Sequence, residues 1–343
     1  MVSQGPALEQ PAVSVVEIDD PVMAGAGLDV LDIDAVQLQP TPFRVWRVVV
    51  RLGACTVVYH STNARVRGRS SVREGWITYL TFGPAAQGSV NGLPVSPGSM
   101  LAVEPAAQGS FVVDPGYEAI AFLVREQDVS QQLAARGREA DFRRPSGVKA
   151  LQVDADRVRA LYDWGRRLVD VAARKPRSFE EGRKERAAAL VELFELLLAT
   201  LGAASDFEPS RSERTRQAHS LVVRAAEDHA LSRADEPLLV TDLCRAAGVS
   251  ERTLEYAFKA VMGLTPVNYL LRLRLHQVRR ALLAATNGSS TVSAEALKCG
   301  FWHFGEFSRA YKACFGELPS DTLRRRPGAA PATADAGGSA RAN

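Results

Sequence analysis

At 343 residues the chain is long enough for two domains with separate cores, and its composition, 46% hydrophobic and 24% charged, is that of a globular protein. No basic segment followed by an apolar run opens it, so no secretory signal is visible, and its most apolar stretch, Ala187 to Ala204, carries Glu192 and Glu195, which would be costly in lipid; a cytoplasmic protein is expected. The net charge of +3 is unevenly spread: residues 211–326 hold 18 basic against 12 acidic side chains and the remainder 24 against 27, so only the C-terminal part is suited to a polyanion.

Residues 1–40, rich in Pro, Gly, Asp and Val, are expected to form a loosely held extension that supplies at most a short edge strand. From Phe43 to Val124 short β-rich runs alternate with turn residues, and strands are predicted over Val45–Val50, Cys55–Tyr59, Trp76–Phe82 and Ala119–Val124. Asn91-Gly92 marks a hairpin, while Pro97-Gly98 and Asp114-Pro115-Gly116 mark turns. Many short strands at near-regular spacing predict a small antiparallel barrel or sandwich. Beyond Arg125 helices take over. Val158, Leu161, Trp164, Leu168 and Val169 share one helical face. Leu190, Phe194, Leu197 and Leu201 share another, which serves either as domain core or, the reading preferred here, as a dimer seam. Together these segments make residues 41–204 one domain, followed by a polar linker over 205–213 that contains Pro209. Residues 214–326 form the next domain, and the Ala-, Gly- and Pro-rich tail 327–343 is expected to be disordered. The cysteines Cys55, Cys244, Cys299 and Cys314 show neither C-x-x-C spacing nor a disulfide framework, which fits free thiols in a reducing compartment.

The last third holds two similar helix-turn-helix units. In the first, Thr241 is expected to cap a short helix containing Leu243, Cys244 and Ala247, Gly248 to permit the turn, and Ser250 to cap the next helix. That second helix, Glu251 to Val261, sets Leu254, Ala257, Phe258 and Val261 on one stripe and Arg252, Glu255, Tyr256 and Lys259 away from it. The second unit repeats the plan with a helix over Thr291–Lys298, a turn at Cys299-Gly300-Phe301 and a helix over His303–Phe315. A continuous helix over Val267–Ala284 joins them, and its length of about 27 Å can present both recognition helices to successive major grooves about 34 Å apart. Arg272, Arg274, Arg279 and Arg280 on or near this spacer are candidates for phosphate contact.

The run Gly300-Phe301-Trp302-His303-Phe304-Gly305-Glu306-Phe307-Ser308-Arg309-Ala310-Tyr311-Lys312-Ala313-Cys314-Phe315-Gly316-Glu317-Leu318-Pro319-Ser320 closely resembles the signature of the AraC/XylS family of regulators. Leu243, Ala247-Gly248-Val249-Ser250, Leu254, Phe258, Gly263, Pro266, Tyr269 and Arg272 match the first half of the same domain. The resemblance implies an all-helical double helix-turn-helix module on double-stranded DNA, with Arg252, Glu255, Tyr256, Phe304, Gly305 and Arg309 at the base-reading positions. Ser250, Lys259, Arg272 and Lys312 are the candidate phosphate contacts. Where relatives carry polar readers this chain has Phe304 and Gly305, which cannot make bidentate bonds to bases; Phe304 either touches a thymine methyl or packs on Trp302. Gly300–His303 and Gly316–Ser320 also resemble regulators of ethanolamine-type operons, and no ligand is carried over from that likeness.

The fold class that follows is α+β: a cupin-like β-barrel with flanking helices, by family resemblance a sensor and dimerisation domain, then the all-α double helix-turn-helix domain. The resemblance further implies a small-molecule effector, a homodimer, RNA polymerase as partner and the usual activating role. Trp46, Tyr59, Trp76 and Tyr79 are the candidate effector-pocket residues. Arg47, Arg65, Arg67, Arg69 and Arg73 either bind an acidic effector or line a solvated edge. No enzyme, metal or cofactor is read from the chain, because the β-rich region has one histidine, His60, and one cysteine, Cys55, with no assembled triad or phosphate loop. The competing reading is a small-molecule-binding or enzymatic cupin protein with a degenerate helical domain.

Overall fold

The computed structural model describes residues 10–137, 145–233, 238–285 and 290–325. The predicted tail 327–343 lies outside the described residues.

Thirteen strands fill the first two-thirds of the described chain, all paired antiparallel. The larger sheet takes β1 (Val13–Ile18), β3 (Val45–Arg51), β4 (Cys55–Thr62), β11 (Tyr117–Arg125), β6 (Trp76–Phe82), β9 (Met100–Val103), β12 (Val148–Gln152) and β13 (Ser205–Asp206) in that spatial order. The smaller sheet is ordered β2 (Leu31–Gln37), β5 (Val66–Val72), β10 (Gln108–Val113), β7 (Gly88–Val90) and β8 (Leu93–Val95). Among the described residues no ladder joins the two sheets, so they form a two-sheet sandwich, and no closed barrel of the cupin-like kind expected by family resemblance is found. The predicted hairpin at Asn91-Gly92 joins β7 to β8, and both residues have positive φ, 49° and 78°, as a type I′ turn demands.

Two boundary expectations change. Residues 10–40 are not a loose extension: β1 pairs with β3 over Val45–Val50, β2 pairs along β5, and Ile18, Asp20, Val30 and Leu38 are buried. The linker is also shorter than read, because Ser205–Asp206 pairs with β12 and the next helix begins at Arg211.

Alternation sorts the large sheet into two faces. Val48, Val50, Tyr59, Ile77, Tyr79 and Phe122 form one core with α2 (Ala155–Arg174) and α3 (Lys184–Leu201), while Val49, Val58, Ala121 and Leu123 face the small sheet. Helix α2 can lie this close because Gly165 faces the sheet; a Cβ there would stand 2.8 Å from Ile120 Cδ1. The stripe predicted as a dimer seam closes this core instead: Phe194 and Leu197 are buried in it, and Leu190 and Leu201 pack against it. A short helix α1 (Glu126–Ala134) completes the domain, burying Val129 and Leu133.

The C-terminal third is helical: α4 (Arg211–Ser232), α5 (Val240–Ala247), α6 (Glu251–Met262), α7 (Pro266–Ala284), α8 (Val292–Lys298), α9 (Phe304–Phe315) and α10 (Pro319–Arg324). Helices α4 to α6 share a core around Leu243, Leu254, Phe258 and Tyr269, and α8 to α10 pack on the far half of α7 through Leu275, Phe307 and Tyr311. Leu38 and Val112 of the β-domain enter the first of these cores, so the two domains meet over an apolar patch. Polar contacts frame it. Arg67 of β5 is paired with Glu227 of α4, with both side chains almost fully buried, and Tyr269 of α7 donates its hydroxyl to the same carboxylate. The backbone of Gln37 is bonded in both directions to α7: its N–H donates to His276 Nε2 and its carbonyl accepts from Arg272, each at 3.2 Å. Arg279 and Arg280 of the same helix pair with Asp20 and Asp34.

Candidate nucleic-acid interface

Each helix-turn-helix unit is built by local chemistry. Helix α5 starts earlier than predicted: Leu239 precedes it and offers its N–H to the Asp242 carboxylate, so Thr241 lies inside the first turn and is not the cap. Gly248 then adopts φ 65°, a conformation costly for any residue with a Cβ, and Ser250 caps α6 by accepting from the Thr253 N–H. In the second unit Thr291 caps α8 by accepting from the Ala294 N–H, and Gly316, at φ 77°, ends α9. Both recognition helices bury one stripe, Leu254, Ala257, Phe258 and Met262 in α6 and Phe307, Tyr311 and Cys314 in α9, which leaves the opposite faces free.

All six predicted base-reading residues, Arg252, Glu255, Tyr256, Phe304, Gly305 and Arg309, lie on those exposed faces. Arg252 lies over the Tyr256 ring, 5.3 Å from its centroid, and donates to the phenol oxygen at 3.2 Å. The stack holds two donor groups in one place before any duplex arrives, which lowers the entropy cost of using them. Arg309 is steadied by a bond from its Nε to the Gly305 carbonyl. Ser250, Lys259 and Lys312 are also exposed, as phosphate contacts require.

The spacer arginines are placed differently from their prediction. Arg279 is 3% exposed and bound to Asp20 and Glu317; Arg272 is half-buried, donating to the Gln37 carbonyl and toward Cys314 Sγ. Arg274 donates to the Leu238 carbonyl, and Arg280 pairs with Asp34. Helix α7 uses these arginines to hold its neighbours, and two of the acids that engage them, Asp20 and Asp34, stand more than two hundred residues earlier in the chain, beyond any local sequence signal.

Around α9 the exposed apolar surface is larger than expected. Trp302 is 75% exposed and Phe304 40%, and among the described residues neither ring is stacked on another aromatic side chain. A Cβ on Gly305 would meet nothing, so no contact within the protein demands glycine there.

The candidate effector residues do not converge. Tyr59 and Tyr79 point into the core under α2, Trp46 is exposed at a strand end, and Trp76 is half-buried beneath Arg125. The space between the two sheets is lined instead by Arg47, His60, Thr78, Leu80, Phe111 and Tyr117, among others. Of the five arginines named for an acidic effector, Arg47 alone lines this space, while Arg65, Arg67 and Arg69 pair with Asp114, Glu227 and Asp228. Cys55 is fully buried, and burial, with the Asp128 charge, pushes its thiol well above the ordinary range, which disfavours the reactive thiolate. Among the described residues no cluster of three His, Cys, Asp or Glu side chains could hold a metal, and no helix is long and apolar enough to cross a membrane.

Two capped helix pairs on one spacer, each with an exposed recognition face, define a double helix-turn-helix domain. Residues 243–325 match the family model described as a helix-turn-helix domain. The chain is 39% identical over 106 residues to the probable thc operon regulatory protein of Rhodococcus erythropolis, covering 31% of this chain and 32% of that one. It is 42% identical over 84 residues to a XylDLEGF operon transcriptional activator of Pseudomonas putida, covering 24% and 25% of the two chains. The matches thus span about a third and about a quarter of these curated relatives. A solved structure, a probable AraC family transcriptional regulator from Rhodopseudomonas palustris, is 36% identical, with 30% of this chain covering 94% of that one at a TM-score of 0.28. By sequence, the C-terminal domain belongs to the AraC/XylS family.

Proposed function

We propose that the protein is a transcription regulator whose helical domain binds two adjacent major-groove sites and whose β-domain senses a small molecule and sets how the helical domain is held. The observation that carries the first half is the pair of exposed recognition faces on one continuous spacer of 19 residues, about 28 Å long, close to the spacing of successive major grooves. The second half is supported by the buried contacts through which β2 and β5 grip α4 and α7. The relatives named above are operon regulators, one of them an activator, and we assign this chain the same role, with RNA polymerase and a second copy of the chain as partners.

Binding to DNA from the region upstream of the chain's own gene, titrated with salt and nonspecific competitor, tests the reading. Tight binding that survives competitor, with a footprint covering two successive major grooves, supports it. Binding that disappears at modest salt regardless of sequence favours the competing reading, a ligand-binding β-domain with a degenerate helical module. That alternative draws on the loss of polar readers at Phe304 and Gly305.

A further inference from the structure

Four residues form one lateral row across an end of the large sheet. Glu17 of β1 stands opposite Trp46 of β3, Trp46 opposite Ser61 of β4, and Ser61 opposite Glu118 of β11. Alternation puts all four on the face that carries α2. Two residues further along, Val48, Tyr59 and Ile120 are buried in the core beneath that helix, while the adjacent Val45 and Ala119 face away into another core. The row therefore lies where the cover of α2 ends, and Tyr162 of α2 marks the limit by donating its hydroxyl to Glu118 Oε2 at 2.9 Å. The inter-sheet space lined by Arg47 and His60 is on the opposite face of the same sheet.

The row lines a groove of about 590 Å³, with Arg44 and Asn63 along its rim. Trp46 is 42% exposed there. Four other aromatic rings, Tyr59, Trp76, Tyr256 and Phe315, are each covered by an arginine at 4.2 to 6.0 Å. Among the described residues no cation of the chain covers Trp46, although Arg44 lines the same groove. Within the same limits the Glu17 and Arg44 side chains form no ion pair or hydrogen bond, and Glu118 is paired with no cation. The groove thus sets two carboxylates against one guanidinium around an uncovered indole. Adjacent strands lie about 4.8 Å apart, so one carboxylate starts one strand from the indole and the other two strands away on its far side. An indole face is the best aromatic surface for a cation, and the flanking carboxylates complement its charge. A primary ammonium is strongly hydrated and wants acceptors close around its N–H groups, which acids on opposite sides of a ring do not supply. A quaternary ammonium has no N–H group to satisfy.

We propose that this groove binds a small organic cation of the quaternary ammonium class, its methyl groups on the Trp46 indole face and the Glu17 and Glu118 carboxylates on either side. Arg44 is the one charge that opposes the ligand, and it limits the affinity. Occupancy of the groove needs no DNA, so the inference goes beyond the regulator reading and stands or falls apart from it.

The test is titration calorimetry of the full chain with choline and tetramethylammonium. The controls are the uncharged carbon isostere of choline, ethylammonium as a primary amine, glucose as a neutral polyol, and sodium chloride at matched ionic strength. The quaternary cations should bind saturably, and choline about tenfold more tightly than its isostere. Trp46→Leu, which keeps an apolar side chain but removes the ring face, should weaken choline by about fivefold, and Trp46→Phe should restore part of that loss. Glu17→Gln should weaken choline binding and Arg44→Gln should tighten it, both effects shrinking as salt rises. Glu17, Arg44 and Trp46 are exposed, so these variants leave the cores intact. Isostere or glucose binding as tightly as choline would overturn the proposal, as would ethylammonium binding more tightly or sodium chloride reproducing the heats. So would the absence of saturable choline binding, or choline binding unchanged in both Trp46→Leu and Glu17→Gln. Specific DNA binding measured in parallel separates the two readings. A chain that binds its operator and takes up no cation upholds the regulator and overturns the site, and a chain that takes up the cation without specific DNA binding does the reverse.

Discussion

Arg67 and Glu227, 160 residues apart in sequence, form a fully buried ion pair at the meeting of β5 and α4, to which the Tyr269 hydroxyl and Ser110 Oγ add hydrogen bonds. The pair joins the β-domain to the helical domain. Glu227→Ala leaves an uncompensated guanidinium and should destabilise the docked form by about 3–5 kcal/mol, while changing Arg67 and Glu227 together to Met should recover most of that loss. Denaturant midpoints of the two variants against the parent check this. Equal losses in both would show that shape, not charge, holds the domains together.

The Arg252–Tyr256 stack predicts two different mutant signatures on α6. Arg252→Ala should relax discrimination at one base pair by about 1–3 kcal/mol. Lys259→Ala should weaken binding to every sequence alike and reduce the slope of log affinity against log salt by about 1. Competition binding with a set of single-base operator variants at three salt concentrations distinguishes them. A uniform loss in Arg252→Ala would remove it from base reading.

At α9 the exposed Phe304 and Trp302 predict reading by apolar contact. Replacing a contacted thymine by uracil removes one methyl and should cost about 0.8 kcal/mol, close to fourfold, in the parent and nothing in Phe304→Ala. Gly305→Ala should stiffen α9, because glycine costs a helix up to about 1 kcal/mol against alanine, yet weaken DNA binding by placing a methyl on the reading face. Stronger binding by Gly305→Ala would show that the open position carries no contact.

His276 predicts an acid limit for domain docking. Burial first, then the charges of Arg279, Arg272 and Arg280, hold its folded value down at about 3, whereas the unfolded imidazole titrates near 6.5. Between those values the folded chain binds fewer protons. The stability His276 contributes is therefore complete above about pH 6.5 and is lost on acidification, at a limiting rate of about 1.4 kcal/mol per pH unit. His276→Gln preserves an acceptor for the Gln37 N–H without titrating, so its stability should fall less steeply between pH 6.5 and 4.5. His60, depressed in the same way, continues to contribute its own slope in that variant. Parallel curves for parent and variant would place His276 in contact with water.

What the sequence made legible was local. Gly248 and Ser250 announce a turn and a cap within three residues, and the stripes Leu254–Phe258 and Phe307–Cys314 fix which faces of α6 and α9 remain exposed. Strand alternation was legible as strands but not as faces. Tyr59 and Tyr79 looked like pocket walls because size was read without knowing which side of the sheet α2 would cover. Their neighbours His60 and Thr78, one residue on and one residue back, take the other face and line the cavity. The spacer arginines were misread for a similar reason. A cation on a DNA-binding helix looks like a phosphate contact until Asp20, Asp34 and the Gln37 carbonyl are brought to it by folding.

That last contact bears on how the protein is cut for study. The segment that looks most dispensable, the first forty residues, contributes Asp20, Asp34 and Gln37 to the grip on α7. A truncated chain beginning after them would uncover Arg272, strip the already exposed Arg280 of its acid and leave Arg279 with Glu317. Such a fragment would hold any duplex more tightly at low salt while discriminating less well, and its apparent gain in affinity would measure the missing acids, not the operator.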